Sequence, residues 1–242
     1  MHKNLNKNLY SNKLLKTWSE KSGLLLIEDY FLKKYLLNKN GKVIEAGTGG
    51  GRIIFEVEKF GFTTIEAFDF VEKMINFCNK KKKELKSSIK FTVNDTTNLD
   101  YYNDQEFDYL IYLQQVLCFV NEDLFEKALQ EAYRIGDKNS TYLFSFLNWN
   151  SKFYNPILTI MVNFFRLLRG EKTSKYRLPW LKVDKKFNWK FLYKNQPQNI
   201  WFKEKHIIDI LEKNGFSMIE VKNKVDNSSK IEHIHIACKK AI

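Results

Sequence analysis

The chain of 242 residues carries 40 Lys and Arg against 28 Asp and Glu, a formal net charge of +12, with 44% hydrophobic and 15% aromatic residues. That length suits one generous α/β domain, or a domain with a sizeable insertion, and is short for two independent catalytic domains; the apolar content excludes global disorder. Positive charge attracts nucleic acid, an anionic membrane face or an acidic substrate without choosing among them, and its dispersal along the chain reads better as a bias toward Lys and Asn than as one basic patch.

In chain order, Asn12 to Glu20 and Leu24 to Leu37 look helical. Val43 to Ala46 then begins an alternation of short β-branched or aromatic runs with longer amphipathic ones, the pattern of strand-helix-strand units in a parallel sheet. Ile53 to Phe60 reads as a helix, Thr64 to Phe68 as a strand, Val71 to Leu85 as a helix and Ile89 to Val93 as the third strand. Asp108 to Leu113, Glu122 to Ile135 and Thr141 to Leu147 continue as strand, helix and strand. Residues 148–202 break the rhythm with a crowd of aromatic side chains and read as an insertion, inside which PILTIMVNFFRLLRG has apolar residues at helical spacing. That helix is expected to pack on the sheet with Arg166 and Arg169 on its polar side. Lys203 to Asn214 follows as a helix stopped by Gly215, and Phe216 to Val221 and His233 to Cys238 close the chain as strands.

Cys78, Cys118 and Cys238 form no Cys-x-x-Cys pair, so neither a disulfide framework nor a zinc site is expected, and a reducing cytoplasm fits. His233 and His235 alternate with isoleucines on one strand and read as structural, with no metal expected. The segment MHKNLNKNLYSNK lacks the apolar stretch of a secretory signal, and no run reaches the roughly 20 apolar residues that a membrane span needs. A soluble protein is expected.

The strongest local signal is VIEAGTGGGR, an apolar strand ending in Glu45 and running through Gly47, Thr48, Gly49, Gly50 and Gly51 to Arg52. Glycines remove the Cβ atoms that would block a ligand's approach to the backbone, and the following helix start offers unpaired N–H groups. Alone, such a turn serves dinucleotides, nucleotides or a plain bend. About twenty residues on, IEAFDF places Asp69 at the end of the second strand, where a carboxylate can accept both hydroxyls of a ribose. An Asp there also makes a helix N-cap before Val71; paired with the glycine turn, ribose binding is the better reading. Asp95, with Thr96 beside it in FTVNDTTNL, follows the third strand and could accept from an adenine amino group, although Asp and Thr also make ordinary turns.

The series VIEAGTGGGR, IEAFDFVEKMI, VNDTTNL, FDYLIYLQQVLCFV and FKEKHIIDILEKNGF resembles the class I S-adenosylmethionine-dependent methyltransferases, particularly their small-molecule group. The resemblance covers most of residues 40–147 and 203–238. It implies an α/β, Rossmann-like three-layer fold with a seven-stranded, mostly parallel sheet, its last strand antiparallel, plus the aromatic-rich insertion. One methyltransferase domain is then expected over 1–242: N-terminal helices to 40, a cofactor-binding core over 41–147, an insertion or lid over 148–202, and a closing helix and strands over 203–242. The acid and Gly-x-Gly-x-Gly of the family fall on Glu45, Gly47, Gly49 and Gly51, its ribose acid on Asp69 and its adenine acid on Asp95. By the same resemblance Phe70 and Met74 flank the adenine and Leu113 lies near the methionine portion. The segment RIGDKNST departs from the usual Gly-rich turn, at a distal loop. A nicotinamide enzyme competes poorly, because its fingerprint wants Gly where Arg52 stands.

Methyl transfer is a direct displacement that needs alignment and exclusion of water more than a protein nucleophile. Gln114 and Gln115, just past the fourth strand, could orient a substrate or simply face solvent, and His206 is a candidate base that also reads as an ordinary helix residue. No Asn-Pro-Pro-Tyr motif follows that strand, which disfavours DNA adenine methylation, and no Pro-Cys pair offers the nucleophile used on pyrimidine carbon. The insertion is the candidate substrate lid, with Trp149, Tyr154, Trp180 and Trp201 lining a pocket, though core packing accounts for each of them equally well. The expected activity is methylation of an oxygen or nitrogen of a small molecule in the cytoplasm. The alternatives are an RNA acceptor, raised but not favoured by the charge, and a non-catalytic subunit of the same fold.

Overall fold

The computed structural model describes residues 2–12, 14–151, 154–179, 182–183, 186–187, 189, 193, 196–224 and 233–241. Trp180 lies outside them. Helices α1 (His2–Asn12), α2 (Leu15–Ser19) and α3 (Leu26–Tyr35) precede β1 (Val43–Ala46), α4 (Ile54–Lys59), β2 (Ile65–Asp69), α5 (Glu72–Leu85) and β3 (Lys90–Val93). Next come β4 (Phe107–Tyr112), two 3₁₀ turns (Val116–Phe119 and Glu122–Leu124), α6 (Phe125–Ile135) and β5 (Gly136–Asn148). The insertion holds α7 (Pro156–Leu168), β6 (Arg177–Pro179), β7 (Lys182–Val183), β8 (Lys186–Phe187) and β9 (Gln198–Phe202). Helix α8 (Glu204–Lys213) and strands β10 (Phe216–Lys222) and β11 (His233–Lys240) complete it.

Hydrogen bonding orders the main strands β3-β2-β1-β4-β5-β11-β10. The first five run parallel, and β11 is antiparallel to both β5 and β10. This is the seven-stranded sheet with a reversed last strand that the resemblance implies. Central strands such as VIEA and FDYLIY are apolar almost throughout because both faces of the sheet are covered. Alternate side chains part into two layers: Ile44, Leu110, Tyr112 and Phe144 meet Leu129 of α6 and Leu211 of α8 on one face. On the other face Val43, Ile111 and Leu143 meet Phe31 and Leu32 of α3 and Val57 of α4. Leu110 is fully buried, and truncating such a side chain to Ala costs about 2–5 kcal/mol.

The sheet is larger than expected, with nine strands among the described residues, because the insertion contributes two. Strand β4 ends at Tyr112 opposite Phe144, which frees that edge of β5; β9 takes it, pairing in parallel at Leu147 and Asn148, and β6 pairs with β9. Strand β5 also starts earlier than expected, at Gly136, so that all of RIGDKNST after Arg134 and Ile135, which end α6, becomes part of it, with a register shift opposite Phe107 and Tyr109.

Helix α7 differs in orientation. Asn155 caps it by accepting from the Ile157 and Leu158 N–H groups, with Pro156 in the first turn. Yet Ile157, Ile160, Phe164 and Leu167 are exposed, while Arg166 is buried. The Arg166 guanidinium donates to Asn163 Oδ1 at 3.1 Å and Gln198 Oε1 at 3.2 Å, which satisfies a charge that burial alone would not tolerate. Strand order reverses between β1 and β4, since β2 lies on one side of β1 and β4 on the other, and a crevice opens beyond their carboxyl ends at such a point.

Candidate active site

The glycine turn after β1 bends through left-handed backbone at Gly47 (φ 60°) and Gly49 (φ 55°), where a side chain would be strained. At Gly47 a Cβ would meet Val116 Cγ2 at 2.7 Å. Gly50 serves a different purpose: a Cβ there would lie 2.3 Å from Ser19 O, because α2 packs directly on the turn, and Gly50 N–H donates to Trp18 O at 3.3 Å. The turn is therefore bare for two reasons, one half facing a cleft and the other receiving a helix.

Asp69 ends β2 with each carboxylate oxygen held by a backbone N–H: Oδ2 accepts from Gly49 at 2.9 Å and Oδ1 from Val71 at 2.9 Å. It thus braces the turn and the start of α5 together, and its remaining lone pairs stay available for hydroxyl donors. Burial pushes its carboxyl up to about 6, against the pull of those N–H groups and of the Lys7 charge. Asp95, after β3, accepts at Oδ1 from Thr97 N–H at 2.9 Å and Thr97 Oγ1 at 2.6 Å. The ends of β1, β2 and β3 converge on one cleft, open to solvent on one side.

Of the residues singled out in the sequence, Gly47, Gly49, Asp69, Phe70, Met74, Asp95, Thr96 and Gln114 line this cleft. Glu45, Thr48, Gly51, Arg52 and Leu113 stand behind its surface. Thr48 Oγ1 donates to Glu45 Oε2 at 2.5 Å, and burial pushes the Glu45 carboxyl up to about 8. Arg52 makes a bidentate pair with Glu28 at 2.6 and 2.7 Å, their side chains 7% and 2% exposed, and donates from Nε to Gln114 Oε1 at 3.4 Å. Its guanidinium joins α3 to Gln114. Gly51 meets Phe55, whose ring would lie 2.5 Å from a Cβ, so it serves close packing of α4.

Gln114 and Gln115 are consecutive non-glycine residues in left-handed backbone, at φ 64° and 59°. Such strain persists only where the surroundings hold it. Here Ser145 Oγ accepts from Gln115 N–H at 2.9 Å, and Gln115 O accepts from Cys118 N–H at 2.8 Å. The bend turns Gln114 into the cleft and Gln115 toward β5. His206 is remote from the cleft, stacked on Tyr176 with ring centroids 4.8 Å apart. Trp149 stacks on Tyr154 at 4.1 Å, and Tyr154 packs against Trp201 at 5.6 Å; these three consolidate the insertion and do not line the cleft.

The wall opposite the strand ends comes from elsewhere. Asn6 and Tyr10 of α1, Trp18 of α2, and Val116, Phe119 and Leu124 of the 3₁₀ turns close it. In sequence only the spacing of Leu5 with Leu9, and of Asn6 with Tyr10, hints that residues 2–12 are helical. Desolvation, and then the charge of Asp69, raise the Tyr10 hydroxyl well above the usual phenol value, so it stays protonated.

A family model for the methyltransferase domain matches residues 37–215. Among solved structures, the CcbJ methyltransferase of Streptomyces caelestis superposes with a TM-score of 0.70 at 12% identity, covering 98% of this chain and 99% of that one. The 1,6-didemethyltoxoflavin N1-methyltransferase of Burkholderia thailandensis, solved with its substrate and S-adenosylhomocysteine, gives 0.69 at 12% identity over 100% and 89%. The magnesium protoporphyrin IX methyltransferase of Synechocystis PCC 6803, solved with S-adenosylmethionine, gives 0.65 at 15% identity over 100% and 98%. No curated protein sequence matches. The chain belongs to the methyltransferase domain family and is a class I, S-adenosylmethionine-dependent methyltransferase.

Proposed function

We infer that the chain methylates an oxygen or nitrogen of a small molecule in the cytoplasm, as one domain in which the core over 41–147 carries the cofactor cleft and the elements over 203–242 complete the sheet. The observation that carries this is the convergence of the glycine turn, Asp69 and Asp95 on one apolar-walled concave cleft, the form that small-molecule sites take. The residues fit the cofactor: Asp69 has an oriented carboxylate for the ribose hydroxyls, Asp95 and Thr96 offer polar partners for the adenine edge, and Phe70 and Met74 supply apolar flanks. When bound, S-adenosylmethionine supplies an electrophilic methyl group.

The remaining work falls to the chain's own side chains. Gln114 is aimed into the cleft by its strained backbone and steadied by Arg52, so its amide orients whatever lies at the end of β4. Tyr10, Trp18 and Phe119 exclude water above it. No histidine lines the cleft among the described residues, and the Tyr10 hydroxyl holds its proton, so an acceptor that is nucleophilic without a strong base suits the site. Calorimetry with S-adenosylhomocysteine tests the reading. Binding is expected in the wild type, and Asp69→Ala should lower affinity by at least about 100-fold, the worth of two charge-assisted hydrogen bonds, while the chain still folds. A wild type that binds neither S-adenosylmethionine nor its demethylated product refutes it.

A further inference from the structure

Away from the strand ends, the cleft is bounded by α1 and by the 3₁₀ turns that follow β4. Asn6 lines it there and is only 5% exposed. Two carbonyls fix its amide: Nδ2 donates to Phe119 O at 2.7 Å and to Gln198 O at 3.2 Å. Flipping the amide would set oxygen against oxygen, so the position of Oδ1 is determined by its neighbours. That Oδ1 is buried and has no hydrogen-bond partner among the described residues. A buried acceptor left unpaired is costly to the fold, and in a cleft wall it marks where a donor from outside arrives.

Charge and shape narrow the visitor. Although the chain carries a net charge of +12, the charged side chains that line the cleft among the described residues are Asp69 and Asp95. Lys7 lines the adjoining groove, which shares Phe70, Asn94 and Asp95 with the cleft. Among the described residues the walls offer an entering anion two carboxylates and no cation, a costly transfer. Tyr10 presents its ring edge-on to Phe119 at 5.7 Å and to Phe70 at 6.4 Å, which leaves walls suited to a flat ring system. Across the cleft Gln114 spends its Oε1 on Arg52, and its Nε2 makes no hydrogen bond among the described residues, so a donor faces the visitor there.

We propose that the part of the cleft bounded by Asn6, Tyr10 and Phe119 is the acceptor subsite, that it takes an uncharged, flat, mainly apolar heteroaromatic molecule bearing an N–H or O–H, and that Asn6 determines specificity by accepting that hydrogen at Oδ1. This rests on the methyltransferase reading above and names its substrate class.

The test uses the full chain loaded with S-adenosylhomocysteine and a set of hydroxy- and aminoquinolines. Each probe is paired with a carboxylated counterpart and with one whose N–H or O–H is replaced by hydrogen. Calorimetry should show that the uncharged donor-bearing probes bind at least about tenfold more tightly than either counterpart, the worth of one well-placed hydrogen bond. In Asn6→Ala the preference for a donor should disappear while affinity for S-adenosylhomocysteine stays within about twofold. A residue that merely pins α1 through its N–H groups would instead weaken donor-bearing and donor-free probes alike in Asn6→Ala, leaving their ratio as in the wild type. The proposal is overturned if carboxylated probes bind as well as neutral ones, if the donor preference survives in Asn6→Ala, or if the loaded protein binds no member of the set. Failure to bind S-adenosylhomocysteine at all would instead remove the methyltransferase reading beneath it.

Discussion

Asp69 holds the turn after β1 and the start of α5 with the same two oxygens that face the cleft, so its protonation bears on both shape and binding. Its carboxyl sits at about 6, raised chiefly by burial. Ribose hydroxyls donate to the ionised form, so binding favours loss of the proton. Affinity for S-adenosylhomocysteine should therefore climb as pH rises toward about 6 and level off above it, and in Asp69→Asn that rise should be absent in calorimetry across the same range. Glu45 works in the opposite sense for stability. Its folded value of about 8 exceeds the ordinary 4.5, so the folded state retains a proton that the unfolded chain releases. Stability contributed by Glu45 is present below pH 4.5 and lost as pH climbs toward 8. Denaturant melts of the wild type and Glu45→Gln should diverge across that window, the variant holding steadier; parallel curves would show that Glu45 ionises freely. Both acids were legible in the sequence by position. That Glu45 would turn inward to Thr48 was not, because an acid at a strand end looks the same from its spacing whether it faces the cleft or the packing behind it.

At the scale of elements, the parallel strands and their helices were readable because burial on both faces leaves continuous apolar runs between glycine and charged breaks. What was not readable is which segments cover the cleft. The insertion's aromatic side chains suggested a lid, but Trp149, Tyr154 and Trp201 satisfy one another, while α1 and α2, poor in apolar periodicity, supply Asn6, Tyr10 and Trp18. Strands β6 and β9 were hidden for a related reason: QNIWF pairs with β6 and with the end of β5 that β4 leaves open, a vacancy that exists only in three dimensions. Gly50 joins the cover to the core. Gly50→Ala would force α2 outward from a 2.3 Å clash with backbone, where no rotamer can relieve it. The expected outcome is a loss of about 1–3 kcal/mol in urea unfolding together with weaker binding of S-adenosylhomocysteine, since Trp18 would leave the cleft wall. Unchanged affinity in a folded variant would detach α2 from the site.

For the molecule as a whole, charge and site are separated. Among the described residues the Lys and Arg side chains lie outside a cleft whose charged lining is two aspartates. Any affinity for RNA should be of the surface kind, falling steeply between low and physiological salt and leaving methylation of a small acceptor unaffected. Competition assays with added RNA at both salt concentrations would reveal the reverse, an RNA that inhibits by occupying the cleft at high salt. The same arrangement shapes how the chain is made. Asn6 docks on Phe119 and Gln198, which follow it by 113 and 192 residues. During synthesis α1 leaves the ribosome long before either carbonyl exists. It waits, undocked, until the insertion has emerged, so a segment translated ahead of the core settles after it, and the nucleoside cleft forms before its own roof.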